Sequence, residues 1–341
     1  MTYFGWILKK WSPKLYDILT ISVLKTRDED VFYIMDAFGS FKEYFAENSI
    51  GAKMKKLLSG LDDNSKNTCK TIYSRLSNYP DSSCKQYIPV KENEIIGGVL
   101  EEENFLFDQY EIKKKRRLFL KSGAIHSSAF YFFHGLSLLP PAVKSYVAGK
   151  QMLDLGAFHG DSVLAMQDYD FSKIFSVEMS PSAVKAYLKV MRENKVSADR
   201  YQIINCAVSD TEKIARFEDS GLVGTSLANA EENDNYVSVE QTTVDSLTEK
   251  YQINDLAFVK ADVEGFALEV LRGGIDSIKK QRPVLSIAIY HSPKEFFEVK
   301  PFLEDNLKDY TFMIRRLAYA KEYGACHAET VLLAYPNELR E

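Results

Sequence analysis

"KADVEG", residues 260–265, sets Lys260, Asp262 and Glu264 at alternate positions after the apolar run "LAFV". Charges at the end of a buried strand are costly unless they are paired or used. A carboxylate there can take a proton from a substrate hydroxyl or amine. The plain structural alternative is a lysine–carboxylate pair, with Glu264 capping the helix that follows. His291 closes the apolar segment "RPVLSIAIYH". Its position makes it a second base or a hydrogen-bond partner for a substrate.

A different chemistry is suggested by "MLDLGAFHGDS" (152–162). Here Asp154 enters a turn that contains Gly156, Ala157, Gly160 and Asp161. A dinucleotide site needs G-x-G-x-x-G, so that backbone N–H groups hold a pyrophosphate. This turn reads G-x-x-x-G, and a carboxylate at its entrance would repel phosphate. S-adenosylmethionine carries no phosphate but has an ammonium, a sulfonium and a carboxylate. The acid suits the cationic part, the glycines let backbone approach the ligand, and the helix start offers N–H groups to the carboxylate.

Glu178, in "SVEMSP" beside Met179, follows Asp154 by 24 residues, one strand–helix–strand unit. An acid there accepts both ribose hydroxyls of an adenosine. NAD enzymes use the same device, so Glu178 points to adenosine without choosing between cofactors. "NCAVSD" (205–210) offers small residues, Ala207 and Ser209, that leave room for an adenine. Asp210 can accept from its amino group, though an ordinary turn explains this segment as well.

These positions matter because each ends a strand in an alternating pattern. From about residue 150, strands "QMLDL", "KIFSVE", "YQIINCAVSD", "LAFVKADVEG" and "RPVLSIAIYH" alternate with helices "GDSVLAMQDY", "SPSAVKAYLKVMREN", "FALEVLRGGIDSIKK" and "SPKEFFEVKPFLEDNL". Ser180 is the expected N-cap before Pro181, and Gly273–Gly274 should break the third helix. "YTFMIRRLAY" and "ETVLLAY" supply two last strands. Such alternation predicts an α/β fold with a mostly parallel sheet covered by helices on both faces. Its ligands sit outside the carboxyl ends of the strands.

The first 105 residues read as mostly helical, through "DVFYIMDAFGSFKEYF" (30–45) and a capped helix in "LDDNSKNTCKTIYSRLSNYPDS" (61–82). The expected division is therefore a helical region over 1–105 and an α/β domain over 106–341. The aromatic N-terminus is broken by Lys9, Lys10, Lys14 and Asp17. No run reaches the ~18 apolar residues that span a bilayer, so no integral membrane segment is expected. The basic run "EIKKKRR" (111–117) reads as a solvated helix face.

Composition narrows the function classes. The 341 residues are 45% hydrophobic and 27% charged, enough for a real core. The net charge of −5 supplies no positive field for nucleic acid. Cys69, Cys84, Cys206 and Cys326 form no CxxC pair, and the five histidines form no metal-ligand spacing. Reduced thiols in a cytoplasmic protein without a bound metal are the expectation.

In order, "LDLGAFHGDS", "VEMSPSAVKAYLKVMREN", "INCAVSD", "GTSL" (224–227), "TTVDSL", "FVKADVEGFALEVLRGG", "RPVLSIAIYH" and "ETVLLAYP" resemble the FkbM family of class I S-adenosylmethionine-dependent methyltransferases. The likeness runs over roughly residues 130–336. K-x-D-x-E-G followed by E-x-x-L-x-G carries it most specifically. It implies a Rossmann-like seven-stranded methyltransferase sheet whose last strand is antiparallel. It implies methyl transfer to oxygen on a sugar or natural product, with a small-molecule or glycan acceptor. By position, Asp154, Gly156, Gly160, Glu178 and Asp210 would line the cofactor, and Asp262, Glu264 and His291 would face the acceptor. Phe158 and His159 stand where the family usually has a small or polar residue. Two rival readings are a catalytically silent S-adenosylmethionine- or nucleotide-binding module and an NAD-dependent oxidoreductase. The N-terminal region is assigned to acceptor binding, to homodimer formation or to a packed helical extension.

Overall fold

Val, Ile, Leu and Phe dominate the strand segments, and they form the centre of the protein. In the computed structural model, residues 31–32, 38–77, 88–89, 108–109, 117–121, 125–219, 236–318 and 327–341 are described. The boundary near residue 105, the aromatic N-terminus, "GTSL" and all of the basic run but Arg117 lie outside the described residues. Seven strands, β1 (Gln151–Leu155), β2 (Lys173–Val177), β3 (Tyr201–Ile204), β4 (Leu256–Ala261), β5 (Val284–Ala288), β6 (Tyr310–Arg316) and β7 (Thr330–Pro336), make one sheet. Their order is β6-β7-β5-β4-β1-β2-β3. The inner pairs β4–β5, β1–β4, β1–β2 and β2–β3 are parallel. The last strand, β7, runs antiparallel to both β5 and β6.

Every residue of β4 and β5 is buried. That fits strands with helices packed on both faces rather than one wet face. From β1 the chain steps outward through β2 and β3, then crosses back to place β4 on the other side of β1. The carboxyl ends of β1 and β4 therefore border a crevice at the switch in strand order, where ligands of such sheets bind.

Several expected elements hold with sharper bounds. Ser180 accepts the Ala183 N–H at 3.1 Å and caps the helix Pro181–Glu193. The helix expected over 266–280 is two, Ala267–Arg272 and Ile275–Gln281, broken at Gly273–Gly274. Other elements differ. "YQIINCAVSD" is not one strand: β3 stops at Ile204, and Ala207–Val208 pairs with Tyr236–Thr242 in a separate three-stranded sheet with Lys213–Glu218. Asn205 makes the break, its side-chain amide donating to the Glu178 and Met179 carbonyls at 2.8 and 2.9 Å. The helix expected over 30–45 begins only at Phe38, while Val31–Phe32 pairs with Ile88–Pro89 as strand.

The helices Phe38–Glu47, Ile50–Leu58 and Asp63–Ser77 join the same apolar cluster as one face of the sheet. Of these, Asp63–Ser77 packs on edge strand β6. Ser65, fully buried, accepts the Ile314 N–H at 2.9 Å and an Arg315 N–H at 2.7 Å. An edge strand exposes unpaired backbone groups, and here a helix hydroxyl satisfies one of them. Lys53–Glu298 (2.8 Å) and Arg315–Asp62 (3.2 Å) tie the same helices to the rest of the protein.

Candidate active site

Asp154 on β1 and Lys260 on β4 are register partners across two adjacent parallel strands. Lys260 Nζ lies 3.1 Å from Asp154 Oδ1 and donates to the Gly156 carbonyl at 2.7 Å. Burial opposes the charge on Lys260, but Asp154, Asp262 and Asp161 outweigh it, and the pKa is raised. This corrects the reading of Asp154. Its carboxylate is fully buried and does not reach the cavity, so the cation it faces is a lysine of the same protein. Lys260 joins the acid to the turn.

The two glycines of that turn also answer to packing. Gly156 has φ +77°, and a β-carbon there would overlap the Asp262 carbonyl oxygen. Gly160 has φ +83°, and a β-carbon would stand 2.7 Å from Met191 Cε and 2.8 Å from Tyr187 Cδ2. Glycine therefore lets the turn lie against the end of β4 and the helix Pro181–Glu193. Gly156 still reaches the cavity wall, whereas Ala157 and Gly160 are buried behind it.

The cavity, about 700 Å³, runs along the carboxyl ends of the strands. At the β3 end its wall is Cys206, Ala207 and Val208. Asp210, expected there, is exposed and stands outside the wall. At the β2 end are Glu178 and Met179. Glu178 is buried, and its two carboxylate oxygens accept the Phe158 and Ser180 N–H groups, each at 2.8 Å. Burial raises its pKa while the two N–H bonds work against the rise. At the β1 end are Gly156, Phe158 and Asp161, the last starting the helix Asp161–Ala165.

At the far end, past β4 and β5, the cavity wall carries Asp262, Glu264 and His291. His291 Nε2 lies 3.2 Å from Asp262 Oδ1 and 3.5 Å from Glu264 Oε2, and Nδ1 lies 3.6 Å from Glu295 Oε2. Burial opposes protonation of His291, but the neighbouring carboxylates of Glu295, Asp262 and Glu264 prevail, and the pKa rises to about 9. Glu295 is itself buried and accepts the Ala267 N–H at 2.9 Å with its other oxygen. Among the described residues, no group of three or more His, Cys, Asp and Glu side chains is placed to hold a metal ion.

The structure thus gathers Lys260, Asp262, Glu264 and His291 with Gly156, Asp161, Glu178, Met179 and Ala207 around one cavity. It leaves Asp154, Ala157, Gly160 and Asp210 off its wall. Sequence reasoning missed Glu295 and His134. Glu295 reads as an ordinary first-turn helix acid. His134, in "FFHGL", lies before the first recognised strand and forms part of the same wall. Four non-glycine wall residues, His134, Phe158, Glu264 and Glu329, have left-handed backbones with φ of 51°, 43°, 49° and 57°. Such conformations gather at functional sites.

Residues 154–324 match the Methyltransferase FkbM domain family. The methyltransferase FkbM of Methylobacillus flagellatus KT shares the fold, with a TM-score of 0.53 and 17% identity over 83% of this chain. The present chain spans 58% of the length of that one. Weaker likenesses include an rRNA methylase from Streptococcus thermophilus (TM-score 0.35, 10% identity, 57% of this chain and 91% of that one). Another is Aeropyrum pernix fibrillarin with natively bound S-adenosyl-L-methionine (TM-score 0.32, 14% identity, 56% and 67%). No curated protein matches this chain.

Proposed function

We propose, for a chain that belongs to the FkbM methyltransferase family, that its cavity binds S-adenosylmethionine and that the reaction is methylation of a hydroxyl oxygen on a sugar or natural product. The observation that carries this reading is Glu178. It is a buried carboxylate at the β2 end, oriented by the N–H groups of Phe158 and Ser180, with its remaining lone pairs beside the cavity. A carboxylate has about four acceptor sites, so each oxygen can still accept one ribose hydroxyl. Ala207 and Val208 then offer small apolar wall to an adenine.

S-adenosylmethionine, when bound, supplies a methyl group on a sulfonium. The protein's own work is to orient the acceptor and to take its proton. Positioning alone can lower such a barrier by several kcal/mol. Since His291 is held protonated between Asp262, Glu264 and Glu295, we assign proton acceptance to Asp262. His291 holds Asp262 in place through Nε2. Lys260 anchors the glycine turn through the Gly156 carbonyl.

Calorimetric titration with S-adenosylmethionine, S-adenosylhomocysteine and NAD, repeated on Glu178→Ala, tests the cofactor. Micromolar binding of the first two, lost in the variant, supports the reading. Preference for NAD would replace it with an oxidoreductase. Cofactor binding with no turnover over a broad acceptor panel would favour a silent binding module.

A further inference from the structure

We infer that His134 is a cofactor-binding residue, its imidazole accepting a hydrogen bond from the ammonium of the cofactor's amino-acid arm. The inference rests on the S-adenosylmethionine reading of the cavity and adds a residue from outside the strand-end set.

The first observation is the side chain. His134 Nε2 is buried and has no hydrogen-bond partner, yet the residue forms part of the cavity wall. A buried polar atom without a partner costs free energy unless something fills the vacancy. Burial and nearby Lys260 lower the pKa of His134, so the ring is neutral and one nitrogen can accept.

The second observation is the backbone. Phe133, His134 and Gly135 are consecutive left-handed residues, with φ of 50°, 51° and 90°. A bulky aromatic in that region is a true outlier. Gly135 is required there, because a β-carbon would overlap the Leu333 side chain on β7. The turn is therefore pressed onto the sheet in a costly conformation, and its result is to deliver an imidazole to the cavity.

The third observation is place. Along the sheet the wall passes from Ala207 at β3 to Glu178 at β2 and then to β1 and β4. A ligand with its adenine at the first and its ribose at the second extends its remaining arm over the third. The charged groups acting on His134 are Lys260, Asp161, Asp154 and Asp262, three acids against one base. That surplus of negative charge selects the ammonium over the carboxylate.

Calorimetry with two probes separates recognition of the arm from damage to the pocket. S-adenosylhomocysteine carries the amino-acid arm, and 5′-methylthioadenosine lacks it. The variant of choice is His134→Asn, since asparagine tolerates the left-handed region and is too short to replace the imidazole. Its melting temperature should equal or exceed that of the unchanged protein. Its affinity for S-adenosylhomocysteine should fall about tenfold, as for one hydrogen bond to a charged group, while affinity for 5′-methylthioadenosine stays within about twofold. His134→Ala should repeat the split. Unchanged affinity for both probes, or equal loss of both in a folded variant, overturns the inference while leaving the cofactor reading intact. Failure of the unchanged protein to bind S-adenosylhomocysteine overturns both.

Discussion

Gly156, at the end of β1, leaves no room for a side chain beside Asp262, at the end of β4: a β-carbon on the first would overlap the carbonyl oxygen of the second. The turn that borders the cavity and the segment that carries Asp262 are thus in backbone contact. One glycine sets the spacing between the two halves of the site.

Gly156→Ala should therefore be the more damaging of two glycine substitutions. At Gly156 the obstacle is a backbone carbonyl oxygen at the closer approach, whereas at Gly160 it is side chain, Met191 Cε and the Tyr187 ring; both glycines have positive φ. We expect Gly156→Ala to cost about 2 kcal/mol or more and to abolish cofactor binding, with a smaller loss for Gly160→Ala. Urea unfolding of both variants gives the order, and the reverse order would refute this account of the turn.

The Asp154–Lys260 pair is buried, so removing one member leaves an uncompensated charge. Asp154→Leu and Lys260→Met should each destabilise by about 3–5 kcal/mol, and the double variant by less than either. A double-mutant cycle measures the coupling. Additive losses would mean that the two side chains act independently.

His291 makes stability depend on pH in a defined direction. Its folded-state pKa, about 9, lies above its ordinary 6.5. The stabilisation is complete below about pH 6.5 and is lost as pH rises through about 9. The amount is on the order of 2 kcal/mol, once the one-third-exposed Asp262 and Glu264 are discounted for solvent screening. Chemical unfolding between pH 6 and 9.5 should show this slope in the unchanged protein, and His291→Gln should flatten it. A slope that persists in the variant belongs to another group.

Ser65 tests whether the N-terminal helices are integral to the sheet. Ser65→Ala leaves the buried Ile314 N–H without its acceptor and should cost about 1–3 kcal/mol. Amide exchange at Ile314 should quicken with it. An unchanged exchange rate would show that β6 does not depend on these helices.

Periodicity and strand-end chemistry made much of this protein legible in its sequence. The alternation of apolar strands with amphipathic helices fixes a mostly parallel sheet, because only helices on both faces bury such strands. Glu178, Asp262, Glu264 and His291 stood out as charged or titratable residues closing apolar runs. The seven-stranded sheet with its last strand antiparallel follows the family resemblance. Lys213–Glu218 escaped notice because Ile214 points outward, 66% exposed, and Ala215 and Phe217 point inward. The chain order of apolar residues there does not announce which face is buried.

What only the tertiary structure decided is which charges meet. Asp154 and Lys260 are 106 residues apart in the chain and pair because β1 lies beside β4. Sequence shows an acid at a turn, but not that its counter-charge is internal. Glu295 lies only four residues after His291, but Asp262 and Glu264 reach the same ring from the end of another strand, and only the fold brings them there. His134 precedes the alternating pattern altogether and reaches the cavity through a left-handed turn pressed onto β7. Local pattern encodes the elements because propensity and burial act over a few residues. Protonation, counter-charge and cavity walls depend on contacts between distant segments, and these exist only once the sheet has closed over its strand order.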